Sequence, residues 1–365
     1  MLRCYECDET YADGSRQRCR CGEPLWFAVG AAAIDADADG LERYREFLPV
    51  EPRIELGTGV GDTPLYDADG LGAYAGCDLY VKDEGRNPTG SFKDRGSVVG
   101  VADALARRAG AVGTVSHGNM AMSMAATAAS AGVDCLVFVP ADIPPERLGH
   151  ISQFGPRLVT VAGDYRRLYE ASLSLARDRD VAFVNSDAPA RVAGQKTTGM
   201  DAVWKGALDL RRAGVIDALP RLYFVQSAAC DPIASAFAAG ADRVETQAAG
   251  ETVAYSIANG DPPSGNRALA AARETGGAVL SVDDDEIRDA AARLATAAGV
   301  SAEASAATSL AGVRRLTDGG EIDRDERVVV VVTGTGFKES PLGPAPDPER
   351  VAIDDLGPYL DGALG

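Results

Sequence analysis

Residues 82–96 of this 365-residue chain read KDEGRNPTGSFKDRG. Pro88, Thr89, Gly90 and Ser91 are turn and helix-capping residue types. The run therefore predicts a loop ending at Phe92 and a helix that starts at Lys93 and passes through Gly96 to Arg107. A lysine here stands out because the chain nearly dispenses with lysine. Of its 36 Lys and Arg residues, only Lys82, Lys93, Lys196, Lys205 and Lys338 are lysines. Guanidinium stays protonated, whereas an amine beside a helix N-terminus and partly withdrawn from water can lose its proton and form a Schiff base. A lysine kept where arginine is otherwise preferred is thus a candidate nucleophilic amine. Taken alone, the same placement also describes a surface lysine on a first helical turn.

Outward from this run, short apolar stretches rich in β-branched residues alternate with alanine-rich windows. Cys135–Val139, Leu158–Val161, Leu222–Val225 and Val328–Val332 read as buried parallel strands, and Met120–Ala131 and Glu286–Ala298 as helices. That order predicts an α/β protein with open parallel sheet and helices on both faces, long enough for two lobes. The sequence contains no internal repeat.

Four of the seven cysteines crowd the N-terminus as Cys4-x-x-Cys7 and Cys19-x-Cys21-Gly22. An odd, clustered set argues for a metal site over a disulfide framework. Four thiolates close a tetrahedral structural zinc shell and leave no open position for a substrate. Redox-active or adventitious thiols are the other reading. With 54 Asp and Glu, a net charge of −18 and a pI near 4.6, the balance argues against nucleic acid and anionic membrane surfaces as partners. The start of the chain shows no signal-peptide pattern, and no apolar run reaches membrane-spanning length, so a cytoplasmic protein is expected. The acidic balance and the scarcity of long lysine stems suit a salt-rich, halophilic cytosol, where ions screen the self-repulsion.

The run Lys82–Gly96 resembles the signature of threonine synthases nearly letter for letter, and other segments follow in that family's order. These are RYREFLPV (43–50), GDTPLY (61–66), NSDAPARVAGQKT (185–197), PSGNRALAAARETGG (263–277), AEASAATSLAGVRRL (302–316) and VVVVVTGTGFKES (328–340). The Cys4–Cys21 segment resembles a ribbon carried by archaeal members. The resemblance implies a fold type II pyridoxal-phosphate enzyme, similar to tryptophan synthase β, with two interleaved lobes of parallel sheet. It implies a zinc ribbon at 1–26, a large cofactor-binding lobe at 27–95 and 190–340, a small lobe at 96–189 and a C-terminal extension at 341–365. It implies the conversion of O-phospho-L-homoserine and water to L-threonine and phosphate. Lys93 would hold the cofactor and shuttle protons, and Phe92 would back it. Asn119 would meet the 3′-oxygen and Thr333 the pyridine nitrogen. Ser116, His117 and Gly118 would hold the substrate carboxylate, and Asn185, Ser186, Arg191 and Lys196 its phosphate. The family's habit also implies a homodimer.

Three departures bear on these expectations. Where the family supplies a glycine-rich loop for the cofactor phosphate, this chain offers Gln226, Ser227 and the amides of Ala228, Ala229 and Cys230. His117 and Met120 stand where small residues are common, and Ala193 replaces an acidic residue. A different fold type II chemistry therefore stays open: a threonine or serine dehydratase, or a β-replacement synthase using O-phosphoserine. A non-catalytic, PLP-like binding module is the more distant alternative. His150 is expected to be a surface or packing histidine and not a catalyst.

Overall fold

The computed structural model describes all residues except 15, 31, 53, 117, 142, 144, 163–164, 199–201, 341, 343–346 and 364–365. The described residues form four sheets. At the N-terminus, Leu2–Cys4 pairs antiparallel with Thr10–Tyr11 on one side and Leu25–Phe27 on the other. A four-stranded parallel sheet follows, in the order Arg157–Val161, Asp134–Pro140, Ala111–Val115, Val181–Phe183. Phe224–Ser227 and Val279–Val282 form a parallel pair. Arg327–Val332 runs parallel to Asp78–Asp83, which carries the short antiparallel strand Leu65–Asp67 on its other edge.

The expected strands at 135–139, 158–161 and 328–332 lie inside observed ones, and helices span Asn119–Ala131 and Asp284–Ala298. The expected strand at 222–225 is displaced two residues, to Phe224–Ser227. Leu222 is held off the ladder: its amide donates to Thr275 Oγ1 at 3.1 Å, and its backbone is packed against Gly277. A Cβ on Gly277 would lie 2.0 Å from the Leu222 oxygen, so the close approach requires glycine.

Each side of the molecule has its own apolar core. Val112, Met124, Val137, Val139 and Ile151 fill one beside the four-stranded sheet. Leu71, Val81, Ile287, Leu294, Leu310 and Val332 fill the other. The two long helices closest to Lys93, Lys93–Ala106 and Asn119–Ala131, are buried along most of their length. Among the described residues no helix is long and apolar enough to cross a membrane.

Candidate active site

Asp83 and Val332 are in register at the C-terminal ends of two parallel strands, the usual place for a ligand in an α/β sheet. Beyond them the chain segments 84–92 and 333–336 run together. Phe92 N donates to Thr333 O at 2.9 Å, Thr335 N to Gly90 O at 3.0 Å, and Ser91 bridges Gly334. The loop is braced from behind by a buried fork. Arg95 Nε and an Arg95 terminal nitrogen donate to the two oxygens of Glu84 at 2.7 and 2.8 Å, and Thr63 donates to the same carboxylate at 2.6 Å. Asp94 receives both the amide and the hydroxyl of Thr89, at 2.7 and 2.6 Å, which fixes the turn that precedes Lys93. Burial raises the Asp94 carboxyl above the ordinary range, and hydrogen bonds from Ser123 and Thr89 draw it part of the way back.

Lys93 is the first residue of its helix, as its sequence context predicts, and its ammonium lies 4.2 Å from the centre of the Phe92 ring. Asn119 opens the helix Asn119–Ala131. Asn119 Nδ2 donates to Glu303 Oε2 at 2.7 Å, and Asn119 Oδ1 accepts from Lys338 Nζ at 2.6 Å. Lys338 also donates to the carbonyls of Thr89 and Gly90, at 3.1 and 3.0 Å. Burial lowers the Lys338 ammonium below the usual lysine range, although Glu303, Asp94 and Glu339 pull the other way.

Sequence reasoning assigned no role to Lys338 or Glu303. Their signals were a scarce lysine and a glutamate directly before an alanine-rich helical run; in the structure Glu303 stands at the start of the helix Ala304–Asp318 and is 6% exposed. Arg147 was also missed. It stacks 3.6 Å over the ring of Tyr255, and both side chains reach Glu339, at 3.5 and 3.0 Å. Burial and the Glu303 charge raise the Glu339 carboxyl, with Arg147 opposing.

The other expected residues divide. Ser116 and Gly118 lie beside the start of the Asn119 helix, where Gly118 N donates to Ser116 Oγ at 3.3 Å; His117 is outside the described residues. Thr333 lies directly after the valine strand and next to Phe92. Arg191 is buried beside Lys93, donating to Ser97 Oγ at 3.1 Å and to the Lys93 carbonyl at 3.5 Å. Asn185 is buried against the four-stranded sheet, accepting from Val115 N at 3.0 Å and donating to Ser172 at 2.8 Å, and Ser186 follows it, half-buried. Lys196 is buried between the Phe47 carbonyl and Asp209, at 2.6 and 2.7 Å. His150 is exposed.

At 226–231 the donors turn inward. Ala228 N donates to Val282 O at 2.8 Å, Ala229 N to Ser227 Oγ at 3.3 Å and Cys230 N to Ser227 O at 2.9 Å. Gln226 Oε1 takes the amides of Ile233 and Ala234 at 2.9 and 3.0 Å, so the following helix is capped from within. At the N-terminal sheet, the four sulfurs of Cys4, Cys7, Cys19 and Cys21 lie within 4.8 Å of one another, with separations of 3.5, 3.6 and 3.8 Å. A tetrahedral zinc shell with bonds of about 2.3 Å has sulfur–sulfur edges of about 3.8 Å, so this quartet suits zinc.

The Pyridoxal-phosphate dependent enzyme family matches residues 56–219 and 202–334. A threonine synthase from Methanocaldococcus jannaschii is 32% identical, covering 97% of this chain and 96% of its own length. One from Methanosarcina acetivorans is 34% identical, covering 93% and 92%. Among solved structures, maize serine racemase matches with a TM-score of 0.66 at 18% identity, covering 92% of this chain and 98% of its own. The processed form of threonine deaminase isoform 2 from Solanum lycopersicum matches with a TM-score of 0.65 at 15% identity, covering 96% of each chain. These two likenesses concern the fold.

The surroundings of Lys93 fit the cofactor that the matched family is named for. An amine at a helix start, the adjoining ring of Phe92, an amide at Asn119 and a hydroxyl at Thr333 are the group types that a pyridine aldehyde needs. Ser91 Oγ, two residues before Lys93, is buried with no hydrogen-bond partner among the described residues, as a side chain awaiting a ligand would be. The turn at 226–231, with three amides taken by protein acceptors, is less open to a phosphate.

Proposed function

We propose, since this chain belongs to the threonine synthase family of pyridoxal-phosphate-dependent enzymes, that it converts O-phospho-L-homoserine and water to L-threonine and phosphate. The observation that carries the reading is Lys93. It opens a helix, behind a loop hydrogen-bonded to Thr333 and Thr335, in a chain 32% and 34% identical to threonine synthases over most of its length.

Bound pyridoxal phosphate supplies the electron sink that makes the α- and β-protons of the amino acid removable. Lys93, Phe92, Asn119 and Thr333 would hold it. Lys93 Nζ then takes the α-proton and next a β-proton; phosphate leaves the γ-carbon, water adds at the β-carbon, and protons return to the γ- and α-carbons. The start of the helix Asn119–Ala131, with Ser116 and Gly118 before it, receives the substrate carboxylate, because first-turn amides and the helix dipole favour an anion. Arg191 and Ser186 stay in the proposal as holders of the substrate phosphate, Arg191 because it already lies beside Lys93. Asn185 and Lys196 are assigned the scaffold roles their hydrogen bonds give them. The four N-terminal cysteines are proposed to hold a structural zinc ion, and the acidic composition supports a salt-rich cytoplasm as the working medium.

The test is a product assay in concentrated KCl, with O-phospho-L-homoserine, L-threonine and O-phospho-L-serine offered separately and Lys93→Ala as control. Threonine and phosphate should appear in equal amounts from phosphohomoserine, and activity should fall by about 10⁴-fold or more in the variant. A keto acid or a replacement product from another amino acid, with phosphohomoserine untouched, would sink the substrate assignment.

A further inference from the structure

Lys338 belongs to the segment that follows the valine strand, yet its ammonium meets two other parts of the molecule. It donates to the carbonyls of Thr89 and Gly90, in the loop before Lys93, and to Asn119 Oδ1 at the start of another helix. An ammonium has three hydrogens, and here three neutral oxygens take them, so nothing remains with which Lys338 could grip a ligand directly. The fit is close. Gly90 has a positive φ of 77°, and a Cβ there would stand 3.3 Å from both Cε and Nζ of Lys338, leaving little room for the wider guanidinium fork.

The consequence falls on Asn119. Its carboxamide is nearly symmetric in shape but not in chemistry: one end only accepts and the other only donates. Lys338 can only donate and stands at the oxygen; the carboxylate of Glu303 can only accept and stands at the nitrogen. A flipped amide would set its oxygen against a carboxylate and its N–H against an ammonium, so both neighbours oppose the flip. In the arrangement observed, one Nδ2 hydrogen goes to Glu303, and among the described residues no acceptor takes the other.

We propose that Lys338 is a positioning residue for the reaction. With Glu303 it locks the Asn119 amide so that the group left for a ligand is an N–H donor, suited to an anionic ring oxygen of the cofactor. The proposal rests on the reading that Asn119 contacts the cofactor. Lys338 acts through Asn119 and touches no reacting atom.

A double-mutant cycle on the full-length protein tests this, with affinity for added pyridoxal phosphate read by titration of the apoprotein and the visible circular dichroism of the bound cofactor as second readout. Lys338→Met should weaken binding by about 10- to 100-fold, the loss expected for one charge-assisted hydrogen bond, and should alter the visible dichroism. Lys338→Gln, which keeps a donor without the charge, should recover most of the affinity. In an Asn119→Ala background Lys338→Met should change affinity by less than about 2-fold, because the group it positions is gone. An equal penalty in both backgrounds would overturn the proposal, since Lys338 would then act on the 89–90 loop alone. Asn119→Ala without effect on affinity would instead remove the reading of Asn119, and the proposal with it. Thermal unfolding of each variant identifies any that fail to fold, and Lys338→Gln then carries the comparison.

Discussion

Two regions of this protein hold buried or half-buried lysines, and they hold them differently. On the helix Ala202–Arg212 and the segment before it, Lys196 and Lys205 share one carboxylate: Asp209 takes Lys196 at 2.7 Å on one oxygen and Lys205 on the other. Beside the loop that precedes Lys93, Lys338 is surrounded by two carbonyls and an amide oxygen, with its carboxylates acting from farther away. The first arrangement neutralises charge and joins two elements, so the ammonium is consumed as scaffold. The second gives the cation neutral oxygens as its direct partners, with its carboxylates farther off, beside groups that a ligand will meet. None of the five lysines is exposed, in a chain that otherwise uses arginine for its cations. Lysine has been retained where a compact ammonium is needed, and the partner tells scaffold from site.

The largest test of this contrast is Asp209→Ala. It leaves two interior lysines without their carboxylate, and removing one partner of a buried ion pair costs about 3–5 kcal/mol. The expected outcome is a fall of that size in unfolding free energy by chemical denaturation, with cofactor affinity in the folded fraction close to that of the parent. Lys338→Met should show the reverse, a modest stability change and a large change in affinity. If Asp209→Ala weakens cofactor binding as much as Lys338→Met does, the division between scaffold and site fails.

A smaller effect should appear in the pH dependence. Burial, and next to it the Lys196 charge, push Lys205 down to about 8 from an unfolded value of 10.5, with Asp209 opposing. Between those values the unfolded chain binds more protons than the folded one, so stability from this group rises as pH climbs from about 8 to 10.5. The physical reason is that two cations share one carboxylate, and shedding one proton leaves a matched pair. Lys205→Met should flatten the rise, measured as the difference in unfolding midpoint between parent and variant across that window. A parent whose stability falls relative to the variant over the same range would show that both ammonium groups are needed.

What could be read from sequence and what could not follows the reach of each interaction. Val328–Val332 and Cys135–Val139 are legible as strands because burial on both faces demands an uninterrupted apolar run, a local property. Lys93 is legible at a helix start because turn and cap residues sit directly before it. The cysteine quartet is legible from spacing alone, and the four sulfurs converge. The strand at Phe224 is misplaced by two residues because its start depends on Gly277 and Thr275, in a segment remote along the chain. The same limit hides the surroundings of Asn185, Arg191 and Lys196, whose partners Val115, Ser97 and Phe47 lie in remote segments. Lys338 shows the boundary most sharply: its scarcity marks it in sequence, but only its three acceptors say what it does.

The smallest expected effect lies at the turn 226–231, which carries a carboxylate at Asp231. Three amides there are satisfied by protein oxygens, Gln226 caps the next helix, and Pro232 has no N–H to give. Asp231 adds a negative charge, its Oδ1 receiving the Ser235 hydroxyl at 3.1 Å. A phosphate approaching this turn finds few open donors and meets a like charge. Asp231→Asn keeps the shape and the Ser235 contact while removing the charge, so affinity for pyridoxal phosphate should rise by about 3-fold at low salt, an electrostatic change well under about 1.4 kcal/mol. In concentrated KCl, where the screening length falls to about 3 Å at 1 M, the gain should vanish. Affinity for pyridoxal, which lacks the phosphate, should not change in either medium. The ratio of the two affinities is therefore the quantity to measure. If the substitution leaves that ratio unchanged at low salt, the cofactor phosphate is held away from this turn, and the inward-facing amides of 228–230 are simply part of the scaffold.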